Sequence, residues 1–261
     1  MSLLQGKSGL IFGVANHRSY AWHIAKTLVA EGARCSFGIL PGDKFEVRAK
    51  DAIEQLGIED PWMHSCDASR DEDLDAIFAA YSKYHDRLDF VVHSIAFADR
   101  EWLAPGKFVE TPRQSYLQAV DISAYTLVAM ASRARAQMAA SGGGSILAMT
   151  YYGSEKVVPG YNVMGVAKSA LECSARYLAS ELGSEGIRVN TISGGPFRTL
   201  AAAGIASFKK MLSYTEERAP LRRNVEGADV GGAAAFFVSD HARGITGENV
   251  YVDCGINVMA G

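Results

Sequence analysis

Apolar runs of strand length recur along the whole chain, and longer stretches of helical periodicity separate them. The runs are SGLIFGV, ARCSFGIL, WMHSC, LDFVVHSIA, GSILAMT, IRVNTISG and ENVYVDCG. Between them lie a helix from about Ala21 to Glu31, a charged helix near Asp43 to Gln55, the DEDLDAIFAAYSKY helix, the long YTLVAMASRARAQMA helix and one carrying Tyr161 and Lys168. This rhythm constrains the fold more than any other feature. Several runs are apolar almost without alternation, as strands buried on both faces of a parallel sheet are. Parallel neighbours need crossover connections, and the intervening helices supply them. The prediction is therefore an α/β fold: a single-domain, Rossmann-like doubly wound sheet of about seven parallel strands with helices on both faces. At 261 residues, one domain spanning 1–261 can bury an adequate core. One stretch breaks the rhythm: RTLAAAGIASFKKMLSYTEERAPLRRN, about 198–224, sits between the sixth and seventh strands, where a substrate lid is expected. Its small residues predict a mobile segment from Thr199 to Leu212 that orders on ligand binding.

The formal net charge of −3 carries no basic surplus, so nucleic acid is not an expected partner. No apolar run approaches the length of a membrane span, and MSLLQGKSGLIFGV lacks the pattern of a secretory signal, so the expected location is cytoplasmic. Cys35, Cys66, Cys173 and Cys254 form no CxxC pair and the histidines show no HxxxH spacing, so no metal site is predicted and the cysteines read as reduced core thiols.

Gly13 ends the first strand, and GVANHRSYAWHIA leads into the first helix. In a doubly wound sheet this turn aims backbone N–H groups and a helix amino terminus at a pyrophosphate. The usual GxGxxG spacing is absent, and His23 stands where a glycine is expected. Ser19 can either cap the helix or bind phosphate. The second strand ends in GILPGDK, with neither an acid for a ribose diol nor an arginine for a 2′-phosphate. That predicts NADH use at least as good as NADPH use, with Lys44 and Arg48 downstream as the residues that could admit NADPH. Asp67 after the third strand suits either the adenine edge or a helix cap, and Ser94-Ile95-Ala96 after the fourth passes the nicotinamide side.

Tyr161 and Lys168 are seven residues apart. At ~100° per residue they fall within about 20° of two turns, on one helix face and roughly 10 Å apart along the axis. An ammonium beside a phenol favours the phenolate and can hold a ribose hydroxyl.

With YNVMGVAK after the fifth strand, the chain resembles the short-chain dehydrogenase/reductases over essentially its whole length. GVANHRSYA, HSIAFA, the Tyr151 and Tyr161 pair and GGPFRTLAAAGI resemble their divergent branch, the bacterial enoyl-acyl-carrier-protein reductases. The resemblance implies reduction of a trans-2-enoyl thioester on acyl carrier protein with NAD(P)H, in a homotetramer. Keto-reducing members carry a serine on the fifth strand where this chain has Ala148, and Tyr151 stands where the enoyl branch has its second tyrosine; Thr150 is the nearby hydroxyl. Catalytic roles are implied for Tyr161, Lys168 and Tyr151. Gly13, Ser19, Tyr20, Leu40, Asp67, Ala68, Ile95 and Lys168 would line the dinucleotide, with Phe197, Arg198, Thr199, Leu200 and Ala201 closing over it. Ala98 would approach the acyl group, and Phe208 and Met211 would form its apolar wall or belong to the ordinary core. Ala96 and Cys254 replace glycines common in the family. A short-chain ketone or alcohol oxidoreductase and a non-catalytic dinucleotide sensor are the alternatives.

Overall fold

The structure is a computed structural model that describes residues 2–199 and 208–260. Its strands are β1 (Ser8–Phe12), β2 (Arg34–Ile39), β3 (Met63–Ser65), β4 (Phe90–His93), β5 (Gly144–Thr150), β6 (Ile187–Gly194) and β7 (Asn249–Val252). The helices are α1 (Tyr20–Ala30), α2 (Asp43–Glu54), α3 (Asp71–Tyr84), α4 (Arg113–Val120), α5 (Thr126–Ala140), α6 (Val163–Leu182), α7 (Phe208–Arg218) and α8 (Gly227–Val238). The strands form one sheet in the order β3-β2-β1-β4-β5-β6-β7, with every pairing parallel. The chain winds outward from β1 to β3, returns to β1's other side at β4, and winds outward again. That reversal makes a crevice at the carboxyl ends of β1 and β4.

Both faces of the sheet are packed, as the unbroken apolar runs predict. One core joins Ile11, Phe37, Val92, Leu147 and Ile192 to α1, α2 and α8, while the other joins Leu10, Phe12, Val91, Ile146 and Val189 to α3, α5 and α6. Neighbours such as Leu10 and Ile11 thus serve opposite faces, the period-two geometry of a strand.

The structure departs from the sequence reading in four places. The sequence reading assigned no helix to Gly227–Val238; α8 is apolar nearly all round and carries three glycines, so it shows no amphipathic stripe. Those glycines matter, because a Cβ on Gly227 would run into the ring of His23 on α1. This explains how a histidine fits where a glycine is expected: the small residue lies on the facing helix instead. Second, α4 precedes α5 and joins it through a π-turn, Asp121–Tyr125. Third, Cys173 is exposed on α6, unlike the three buried cysteines. Fourth, α6 begins at Val163, so Tyr161 precedes the helix. Asn162 breaks the helical path with φ of 41°, and its side-chain amide donates to the carbonyls of Trp102 at 2.7 Å and Ala104 at 2.8 Å.

Candidate active site

The crevice has two sides. On the β1–β2–β3 side, Gly13 turns the chain with φ of +100°, and any Cβ there would strike the carbonyl oxygen of Ser94 beyond β4. Only glycine permits both the left-handed conformation and the close crossing. Ser19 occupies the helix-capping position of α1, yet its hydroxyl faces back into the turn. It accepts from the amides of Ala15 at 3.0 Å and Asn16 at 3.1 Å and donates to Asn16 O at 2.9 Å. The serine therefore shapes the loop, and the amino terminus of α1 opens onto the crevice behind it. Asp67 binds the amide and hydroxyl of Ser69 through one carboxylate oxygen, the capping alternative, while its second oxygen accepts no hydrogen bond among the described residues. Ala68 is buried beside it, whereas Leu40 at the tip of β2 is exposed and Ile95 beyond β4 half-buried. These two apolar side chains on either side of the turn are suited to a flat ring.

Tyr20 spans the crevice floor. Its hydroxyl donates to Gly195 O at 2.7 Å, and its ring stacks on Phe197 at 4.9 Å between centroids. His23 meets the other side of Phe197 edge-on at 5.3 Å. Phe197 is thus anchored, with Arg198 exposed and Thr199 half-buried beyond it. Leu200, Ala201 and most of the segment expected to be mobile lie outside the described residues.

The β4–β5–β6 side holds Tyr161, Tyr151 and Lys168. Tyr161 is buried and meets Tyr151 edge-on, with ring centroids 5.0 Å apart. A Cβ on Gly153 would come within 2.5 Å of the Tyr161 ring, so that glycine lets the phenol lie flat against the backbone, a role the sequence did not reveal. Lys168 is buried and donates to Met149 O at 2.8 Å. An ammonium carries three N–H bonds, so two remain to be given. Burial pulls its pKa down to about 8, against the opposing pull of Glu172. Burial also pushes the Tyr161 phenol up, and Glu172 adds to that. The expectation of a favoured phenolate is corrected here, because burial and the Glu172 charge both disfavour it and Tyr161 stays a hydrogen-bond donor.

Thr150 donates to Glu172 Oε1 at 2.6 Å, so its hydroxyl is committed within the protein, and Ala148 is fully buried in β5. His93, at the end of β4, is held neutral with its pKa near 3, through burial first and the Lys168 charge second, and bonds Thr126 Oγ1 at 2.7 Å. Around Tyr161 a separate apolar cluster gathers Leu103, Val158 and Met164, with Ala98, Tyr151 and Met211 packed against it. Ala98 and Met211 are therefore brought to the tyrosine pair. Phe208, the first residue of α7, is half-buried and does not join this cluster. Glu172 and His93 are the polar groups that sequence reasoning gave no place in the site, and Thr150 enters that reasoning only as a nearby hydroxyl; a lone Glu one turn after a lysine is the single signal that could have pointed to one of them.

A turn for pyrophosphate, an apolar slot for a flat ring, and a buried ammonium with unspent donors fit a dinucleotide. Comparison with known proteins agrees. The family described as Enoyl-(Acyl carrier protein) reductase matches residues 13–257. An enoyl-[acyl-carrier-protein] reductase [NADH] from Rhizobium meliloti is 46% identical over 257 residues, covering 98% of this chain and 92% of that one. Its Bacillus cereus counterpart is 46% identical over 259 residues, 99% of this chain and 100% of the other. Among solved structures, the Bacillus cereus enzyme with NADP+ and indole naphthyridinone superposes with a TM-score of 0.96 over all of both chains at 46% identity. The Anaplasma phagocytophilum reductase in complex with NAD gives a TM-score of 0.93 at 46% identity, covering 99% of this chain and 97% of that one. With the family matched across nearly the whole chain and the fold shared from end to end, this chain belongs to the enoyl-(acyl carrier protein) reductase family.

Proposed function

We propose that the protein reduces the trans-2 double bond of enoyl thioesters carried on acyl carrier protein, using NADH, in fatty-acid synthesis in the cytoplasm. The observation that carries this reading is the edge-on pairing of Tyr161 with Tyr151, two residues beyond the Met149 carbonyl that holds buried Lys168, on a strand that offers Ala148 and a committed Thr150 but no free hydroxyl. Bound NADH supplies hydride to C3 of the substrate. The Tyr161 hydroxyl then donates to the thioester carbonyl as it gains enolate character, and the phenol's raised pKa keeps that proton available. Lys168 holds the ribose with its unspent N–H bonds and contributes positive charge beneath the developing oxyanion. Tyr151 walls the pocket edge-on to Tyr161, and the apolar cluster of Ala98, Leu103, Val158 and Met211 excludes water around the acyl chain.

Gly13, Ser19, Tyr20, Leu40, Asp67, Ala68 and Ile95 line the dinucleotide in this reading, and Phe197, Arg198, Thr199, Leu200 and Ala201 cover it. The chain acts as one unit over 1–261, with 198–224 as its substrate lid and Phe208 and Met211 on the lid's acyl side. A homotetramer is part of the proposal, supported by exposed Leu117 on α4, Tyr125 at the end of the π-turn and Tyr177 on α6. Ketone reduction is the weaker reading, since no serine partners Tyr161. A sensor without turnover is weaker still, because dinucleotide binding alone has little use for a buried phenol. Loss of NADH absorbance with crotonyl thioester and none with acetoacetyl thioester is the expected result. The opposite preference would transfer the chain to the ketone reductases.

A further inference from the structure

Glu172 is a buried carboxylate that the reading above gives no task, and a buried acid needs a reason. It lies on α6 one turn after Lys168, the spacing that puts two side chains on one helix face. Thr150 pins one of its oxygens at 2.6 Å, and the next carbonyl back along β5, Met149 O, takes the Lys168 ammonium at 2.8 Å. Adjacent residues of one strand thus anchor a buried acid and a buried base within electrostatic reach of each other.

We propose that Glu172 is a positioning residue for the Tyr161–Lys168 site: its fixed negative charge keeps the proton on Lys168 at neutral pH, so the ammonium is available to ribose and oxyanion. This rests on the functional reading given above. The surrounding groups leave Glu172 alone in that role. On β4, His93 is neutral, with its free nitrogen buried and unbonded. On β6, Ser193 is a buried hydroxyl without charge. The acid of the π-turn, Asp121, is exposed, as are Arg100 and Glu101 on the short turn that touches α6 from the far side. After β5, Glu155 is engaged by the hydroxyl of Tyr251 from β7. Asp253 is occupied by the amides of Gly255 and Asn257. Tyr151 and Tyr152 are both pushed up by burial and stay uncharged.

The sign is definite. Burial has already drawn the pKa of Lys168 from the usual lysine range to about 8, while Glu172 pulls it upward. Removing the negative charge lets it fall further, toward or below neutrality. The loss of the ammonium then moves from the alkaline edge into the working range.

Glu172→Gln isolates the charge, because a glutamine oxygen can still accept from Thr150. In the ligand-free protein, the side-chain carbon signal of Lys168, assigned by its absence in Lys168→Arg, is followed by NMR from pH 5 to 10. The wild type is expected to titrate near pH 8, Glu172→Gln about one to two pH units lower, and Glu172→Asp back toward the wild type. NADH binding by fluorescence should weaken about three- to tenfold at pH 7.5 in Glu172→Gln and recover at pH 6. An unshifted Lys168 titration in Glu172→Gln overturns the proposal and leaves Glu172 a plain anchor for Thr150. Should Glu172→Gln not fold, Glu172→Gln with Lys168→Met tests the same coupling: a double variant more stable than the single supports it, and one no better overturns it. The lysine titration needs neither cofactor nor substrate, so failure of the functional reading, seen as no crotonyl-dependent NADH oxidation by the wild type, is told apart from failure of this inference.

Discussion

The two sides of the crevice are built on opposite principles. On the β1–β2–β3 side the polar groups satisfy one another: Ser19 is spent on Ala15 and Asn16, and Asp67 on Ser69. What faces a ligand there is backbone, a helix end and an exposed leucine. On the β4–β5–β6 side, polar groups are buried and under-satisfied: among the described residues Lys168 has one partner, and Ser193 Oγ and His93 Nδ1 have none. The binding side gains its fit from shape, which needs little charge. The β4–β5–β6 side keeps its polar groups out of water, where their interactions are stronger.

If that contrast is right, substitutions on the two sides should fail in different ways. The largest effect belongs to Lys168→Ala, which serves both sides. Loss of a charge-assisted contact to ribose should weaken NADH binding about tenfold or more, and turnover of crotonyl thioester should fall at least a hundredfold in addition. Fluorescence titration and steady-state rates measure the two losses separately. Normal NADH affinity in this variant would detach lysine from the binding side.

Next comes Tyr161→Phe, which should leave NADH affinity and thermal stability close to the wild type while kcat drops by about a hundredfold, the low end for one lost oxyanion donor. A hydride acceptor at C3 depends less on immediate oxygen protonation than a ketone does. Wild-type turnover would make the phenol a packing residue.

Gly13→Ala should show the reverse pattern. Holding a non-glycine residue at φ of +100° costs about 1–3 kcal/mol, and the clash with Ser94 O adds displacement of β4's end. The expected outcome is a lower melting temperature and poor NADH binding, with the chemistry intact in whatever enzyme retains cofactor. An unchanged melting temperature would show that the turn tolerates a side chain and that glycine is not required by shape.

The smallest expected effect concerns the adenosine end. Leu40, Pro41 and Gly42 bring no cation to the tip of β2, and Lys44 and Arg48 are exposed on α2. NADH should therefore be preferred over NADPH by about tenfold at most in kcat/KM, a difference of ~1.4 kcal/mol. A strong preference for NADPH would put one of those two cations on the 2′-phosphate.

The same contrast explains what could be read from the sequence. Strand and helix assignments succeeded where burial imposes a period: β5, β6 and α3 span the very residues whose pattern announced them. The pattern failed at α8, whose exposed face carries Ala228, Gly232 and Phe236 and therefore shows no polar stripe, and at Tyr161, where a single left-handed asparagine detaches the phenol from the helix its spacing suggested. Residues carried by a motif, such as Tyr161, Lys168 and Gly13, were legible as candidates. Glu172, Gly153 and the committed hydroxyl of Thr150 were not, because their roles arise from contacts between β5, the turn after it and α6 that local sequence does not display.

The central claim is that this crevice delivers hydride to an alkene carbon. The direct test is a reaction of crotonyl thioester with NADH deuterated at the transferring C4 position, followed by mass spectrometry and NMR of the product. The account predicts butyryl thioester with one deuterium at C3, and in deuterated water with unlabelled NADH one deuterium at C2 instead. Untouched crotonyl thioester, together with deuterium on the carbinol carbon of a product from acetoacetyl thioester, would contradict it.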